Sequence, residues 1–140
     1  MASTLRSLTS REVSELPRDG ATKTFRFAGV IVGDPRTGAE VTIEGPVNLD
    51  LFRPLTFGGV NAGGVAWERE GFALLVIEED GVATPRRRLN VVARRLIELL
   101  HADLETGSYM HTRYPIQGVG SPPKTRYSFP PPGPTLVPTS

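Results

Sequence analysis

The stretch TPRRRLNVVARRLIELLHADLETGSY, Thr84 to Tyr109, constrains this chain more than any other. Leu89, Val92, Ala93, Leu96, Leu99, Leu100 and Leu104 fall at i, i+3, i+4, i+7, i+10, i+11 and i+15, one continuous apolar stripe on a helix. Thr84 is a suitable N-cap, Pro85 suits the first helical position, and Gly107 is a suitable stop. The spacing predicts one helix over about 85–105, with Glu98 placed to pair with Arg94 or Arg95 on the far side. A single helix of that length covers one side of one sheet. The other side must meet water, RNA or another subunit. The same helix carries Arg86, Arg87 and Arg88 in its first turn. The macrodipole disfavours positive charge there by roughly 0.3–1 kcal/mol each unless an anion compensates. Glu78, Glu79 and Asp80 across the preceding turn, a phosphate backbone, or an acidic neighbouring subunit would each serve.

Upstream the pattern has strand period. TFRFAGVIV (Thr24 to Val32) alternates at its start, and Gly29 suggests a bulge or bend. GDPRTG is a turn, and AEVTIEG alternates strictly, so Phe25 to Ile43 predicts a hairpin. VNLDLF (Val47 to Phe52) alternates again and ends at Pro54. FGGVNAGGVAW reads as a flexible loop or a bulged strand, and FALLVI (Phe72 to Ile77) as a strand covered on both faces. Residues 1–22 form an N-terminal arm or short element, with Leu5, Leu8, Val13 and Leu16 as its apolar anchors.

After Tyr114 prolines accumulate. Proline lacks the amide donor, so this part is not expected in a helix or a central strand. Residues 114–140 are predicted to form an extended, proline-rich arm. Tyr114, Ile116, Tyr127 and Phe129 are its candidate anchors, since a flexible linker needs few large apolar side chains. The expected architecture is therefore α+β: an antiparallel sheet, one long amphipathic helix and the arm, with 23–113 as the core domain.

Composition excludes several classes. There is no cysteine, so disulfides and thiolate metal sites are out. A formal net charge of +1 is far from that of a chain held on nucleic acid by bulk charge. No apolar run approaches the length of a membrane span, and MASTLRSLTSREVSEL has no apolar core of a secretory signal. His101, Asp103 and Glu105 do not share one helix face, so no metal site is expected. GGVNAGG lacks the Lys-Ser/Thr of a phosphate loop, and no serine sits in a nucleophile elbow. No cofactor and no enzymatic activity are expected.

The stretch VAWEREGFALLVIEEDGVATPRRRLNVVARRLIELLHADLE, Val65 to Glu105, resembles the coat proteins of small single-stranded RNA bacteriophages. In that family a last strand passes through a polar turn into an arginine-rich amphipathic helix ending in Leu-Leu. ATPRRR, RRLIELL and the closing YPIQG occupy those places here. The resemblance implies a self-assembling coat protein of the virion, assembled in the host cytoplasm. It also implies an intertwined dimer whose helices pack across the partner's sheet through Leu89, Val92, Leu96, Leu99, Leu100 and Leu104. A shell of such dimers would enclose genomic RNA, contacted by Lys23, Arg26 and Arg53. Arg86, Arg87 and Arg88 would contact RNA or a neighbouring subunit. Glu40 and Glu44, on an exposed strand face, would repel phosphate. Two other readings fit the same residues. One is a virion accessory protein of a DNA phage, such as a capsid decoration or tail component. The other is a cellular binding module with a proline-rich ligand tail.

Overall fold

Asp80 and Gly81 both adopt positive φ, 52° and 81°. Two such residues in succession make the tight hairpin turn whose twist matches that of the strands it joins. Here the turn joins two long strands, and Glu79 pairs directly with Val82 across it. The computed structural model describes residues 13–60, 62–120 and 124–137. Its strands are β1 Val13–Ser14, β2 Thr22–Gly33, β3 Glu40–Ile43, β4 Leu55–Val60, β5 Ala66–Glu79, β6 Val82–Val91, β7 Thr112–Val119, β8 Arg126–Ser128 and β9 Thr135–Leu136. Helix α1, Arg94–Thr106, lies between β6 and β7. Among the described residues the strands form one sheet ordered β1-β6-β5-β2-β7-β8, with β3 beside β2, β4 beside β5 and β9 beside β7.

This corrects the α+β expectation. The described chain is mostly strand, and its one α-helix is shorter and later than the predicted span. Thr84 to Val91 belongs to β6, not to a helix. The physical reason is pairing: Leu89 and Val91 lie opposite Leu74 and Phe72 in register, and all four are buried. That non-local burial overrides a stripe that reads equally well at helical spacing. Of the predicted helix face, Leu96, Leu100 and Leu104 are buried on α1, while Leu99 is half-buried. Leu89 contributes from the strand, and Val92 lies in the link before α1. The helix starts at Ala93 without a side-chain cap and stops at Gly107, φ 84°, as expected. Among the described residues this stripe packs on the chain's own sheet.

The expected β2–β3 hairpin is present, with Val30 opposite Ile43 and Gly33 opposite Glu40. β2 is irregular at Phe27 and Gly29, where its register against β5 shifts. Val47 to Phe52 is not a strand but a connection holding a short 3-10 turn, Leu49–Leu51. FALLVI is the second half of β5. Phe72, Leu74 and Val76 face α1, while Ala73 belongs to a smaller cluster with Ile31 and Leu55 on the opposite face. Val13–Ser14 pairs in parallel with β6. Leu5 and Leu8 lie outside the described residues.

The proline-rich segment is corrected as well. It does not extend away as an arm: β7 is an interior strand beside β2, and Thr24 stands opposite Pro115. On the other side of β7, β9 pairs with 112–113 and β8 with 117–119. Pro115 therefore falls in the gap between them, where a missing amide costs no ladder bond. The predicted anchors hold to the chain's own core. Tyr114 and Ile116 are fully buried, and Tyr127 and Phe129 pack against the same cluster. The Tyr114 ring lies 5.6 Å from both Phe27 and Phe129. Its hydroxyl donates to Asp103 Oδ2 at 2.6 Å, tying β7 to α1. Burial first, and then that bond to Asp103, push the Tyr114 hydroxyl well above the usual tyrosine range.

Leu100→Ala is expected to destabilise the chain by about 2–5 kcal/mol, because Leu100 is fully buried beneath the sheet. Chemical denaturation of the two proteins checks this; equal midpoints would contradict the packing described.

Candidate functional site

The arginine triplet is resolved by strand geometry. Alternation in β6 sends Arg86 and Arg88 to the face away from α1 and Arg87 to the α1 side. Arg88 reaches across β5 and β2 to Glu40 of β3, with Nη1 and Nη2 each 2.8 Å from a carboxylate oxygen. Its Nε donates to Asn90 Oδ1 at 3.1 Å. Arg86 Nη1 lies 3.2 Å from Glu44 Oε2. Arg88 stands opposite Leu75 of β5, which in turn stands opposite Gly29 of β2. A β-carbon on Gly29 would stand 3.5 Å from the Glu44 side chain and 3.3 Å from that of Leu75. The hydrogen bond from Arg88 holds the Glu40 carboxyl below its ordinary range. Glu40 and Glu44 are thus partners of arginine rather than a free acidic face.

Glu79 gathers the charges on the α1 side of the sheet. Its carboxylate accepts from Ser14 Oγ at 3.1 Å, and lies 3.4 Å from Arg87 Nη1 and 3.3 Å from Lys23 Nζ. On the opposite side Glu78 accepts from Arg113 Nε at 2.9 Å. Arg26 stands in register between these two, and its Nε is buried without a hydrogen-bond partner. Arg53 lies elsewhere, paired through its backbone with Gly33 and donating from Nη2 to Arg36 O at 3.3 Å. The expected RNA contacts are therefore not brought together. Lys23 and Arg26 project from opposite faces of β2, and Arg53 sits beside the far end of that strand. Asp103 is engaged by Tyr114, and His101 Nδ1 lies 3.3 Å from Glu105. Among the described residues no group of three His, Asp or Glu side chains is arranged to hold a metal ion.

The feature that sequence reasoning missed is a ribbon. β4 and the first half of β5 pair from Leu55 opposite Gly71 to Val60 opposite Ala66. Both strands have no other strand beside them over the outer part of this pairing, among the described residues. Residues 62–70 are all exposed. At about 3.3 Å per residue a six-residue strand projects about 20 Å. Val60, Val65 and Trp67 are large apolar residues exposed along it. The Trp67 ring lies over Gly59, where a β-carbon would stand 3.1 Å from its Nε1. Phe57, on the same face, continues the small apolar cluster of Ile31, Leu55 and Ala73. A signal was present in AWEREGF: Trp67 and Arg69 alternate with Glu68 and Glu70, which is strand period directly after FGGVNAGGVAW, the segment expected as a flexible loop or a bulged strand.

Glu40→Gln is expected to remove about 1 kcal/mol or less, since Glu40 is half exposed and solvent screens the pair. The sign follows from the lowered pKa. The contribution is complete above the ordinary carboxylate value and is lost as pH falls through the folded value. Thermal melts should therefore separate wild type from Glu40→Gln near neutral pH, and the gap should narrow as pH falls below the ordinary carboxylate range. A gap that widens on acidification would contradict the pairing.

No family model matches the chain, and no curated protein or solved structure matches it either.

Proposed function

We propose that this chain is a structural subunit that assembles with copies of itself, in the manner of a virion decoration or tail component. The observation that carries the reading is the β4–β5 ribbon. Beyond Phe57 this ribbon has no further strand beside it among the described residues, and a two-stranded ribbon is marginal in water unless more strands or a packed face support it. This one also presents Trp67, Val60 and Val65 to solvent. Such a projection is well suited to being completed by a neighbouring subunit. The particle class is carried over from the sequence resemblance, of which RRLIELL falls on α1 while ATPRRR lies in β6, and the ribbon would supply the means of assembly.

The accessory version is favoured over an RNA-bound coat by the disposition of charge. Arg86, Arg87 and Arg88 are each matched by a glutamate, and Lys23 shares Glu79 with Arg87. Among the described residues the unmatched cations are scattered and form no basic groove for phosphate.

Light scattering coupled to size-exclusion chromatography tests the reading. A mass of at least twice 15.2 kDa, without excess absorbance at 260 nm, is the expected result. A monomer at every concentration would overturn it, and a particle carrying nucleic acid would restore the coat version. Trp67 is the chain's single tryptophan, so its emission should shift to shorter wavelength as concentration rises and the ribbon is covered.

A further inference from the structure

The edges of the sheet are not equally defended. Sheets avoid edge-to-edge association with charge, proline, short strands or a covering segment. β6 is capped at Arg88 and Leu89 by β1, and the rest of its edge holds Pro85, Arg86 and Arg87. β3 has four residues and carries Glu40 at its start. β8 has three residues and β9 has two. The outer edge of β5 carries Glu68, Arg69 and Glu70. β4 differs from all of these. LTFGGV is six residues long, without charge or proline, and among the described strands it pairs only with β5.

We propose that the free edge of β4 pairs antiparallel with the same edge of a second copy, about a two-fold axis at Gly58. This rests on the self-assembly reading and assigns its contact. A two-fold axis normal to the sheet keeps each residue on its own face, so only residues of like facing meet across it. With Gly58 on the axis, Thr56 lies opposite the partner's Val60, and Phe57 lies opposite the partner's Gly59. Gly59 is the residue beneath the Trp67 ring. Each Phe57 thus meets the partner's Trp67 over a glycine, and each Thr56 meets a β-branched valine. Two ribbons of two strands become one ribbon of four, past the size at which such structures hold in water.

Charge selects this edge and a like partner. In the order β5-β4-β4-β5 the two copies of Glu68 and Glu70 stand three strand spacings apart, about 14 Å. That exceeds the screening length of about 8–10 Å at ordinary salt. Pairing through β5 instead, with the axis at Glu68, Arg69 or Glu70, would set like charges directly opposite one another, which is destabilising. β4 itself offers no charge by which to select an acidic or basic foreign strand.

The chain has no cysteine, so introduced thiols report contacts cleanly. Under mild oxidation the double variant Thr56→Cys with Val60→Cys should form a covalent dimer at least tenfold more than either single variant. Thr56→Asp with Val60→Asp should reduce the mass in light scattering by half or more while leaving the far-ultraviolet circular dichroism melt unchanged. Both positions are exposed, so folding is not at issue. A wild-type assembly whose mass the aspartates leave intact, with no extra cross-linking of the double cysteine variant, would overturn the β4 edge and leave self-assembly standing. A wild-type monomer would overturn both.

Discussion

Gly71 is the point on which the division of this sheet depends. A β-carbon there would overlap the Val91 carbonyl, so the end of β6 approaches β5 more closely than any other residue would allow. On one side of Gly71, β5 is flanked by β2 and β6 and contributes Phe72, Leu74 and Val76 to the core. On the other side, β5 keeps only β4 among the described strands. The close approach lets β6 leave the sheet at Val91 and enter α1 two residues later, directly beneath the sheet. A glycine without a side chain is thus what separates a packed body from a projecting ribbon.

Charge in the body follows from strand alternation. Read as a helix, three successive arginines crowd one positive pole. Read as a strand, they divide between two faces and meet three different glutamates: Glu44, Glu79 and Glu40. Arg88 and Glu40 come from strands separated by two others, so their bond ties four strands together on the face away from α1. That face is tied by these ion pairs and by the small apolar cluster of Ile31, Leu55 and Ala73 with Phe57 and Leu75. Of the turn acids only Glu79 meets an arginine of the triplet, Arg87, while Arg86 and Arg88 pair with Glu44 and Glu40.

Local chemistry was legible where it was decisive over a few residues. Gly107, Gly29, the Asp34–Ala39 turn and the alternation of Glu40 to Ile43 each announced what they do. The boundary of α1 was not legible, because Leu89 and Val92 satisfy a helical stripe and a strand at once, and only the partners across β5 decide. Asp80-Gly81 was the clue that outranked the stripe, since that dipeptide between apolar runs is a strong hairpin signal. Pro115 misled for a related reason. Its lack of a donor excludes it from a strand only where a neighbour needs that donor, and the gap between β8 and β9 is a property of the whole sheet. The ribbon was hidden by its glycines. Gly58 and Gly59 read as looseness, whereas Gly59 is the seat for the Trp67 ring.

Stability and association are separable in such an arrangement. The buried clusters around Phe27, Leu100 and Tyr114 lie in the body, and Tyr109 closes it by donating to Gly45 O at 2.8 Å. The outer ribbon adds little to that burial, because its residues from 62 to 70 are exposed. Changes at the ribbon therefore act on what the molecule meets, and changes in the core act on whether it folds. A fold free to lose its ribbon without losing its core has no internal reason to keep an uncharged edge and an exposed tryptophan there. Exposed apolar strands carry an aggregation cost that the other edges of this sheet avoid. The unguarded edge is accounted for physically when its complement is supplied from outside, and a two-fold copy covers the uncharged β4 edge while leaving only the charged β5 edges outermost.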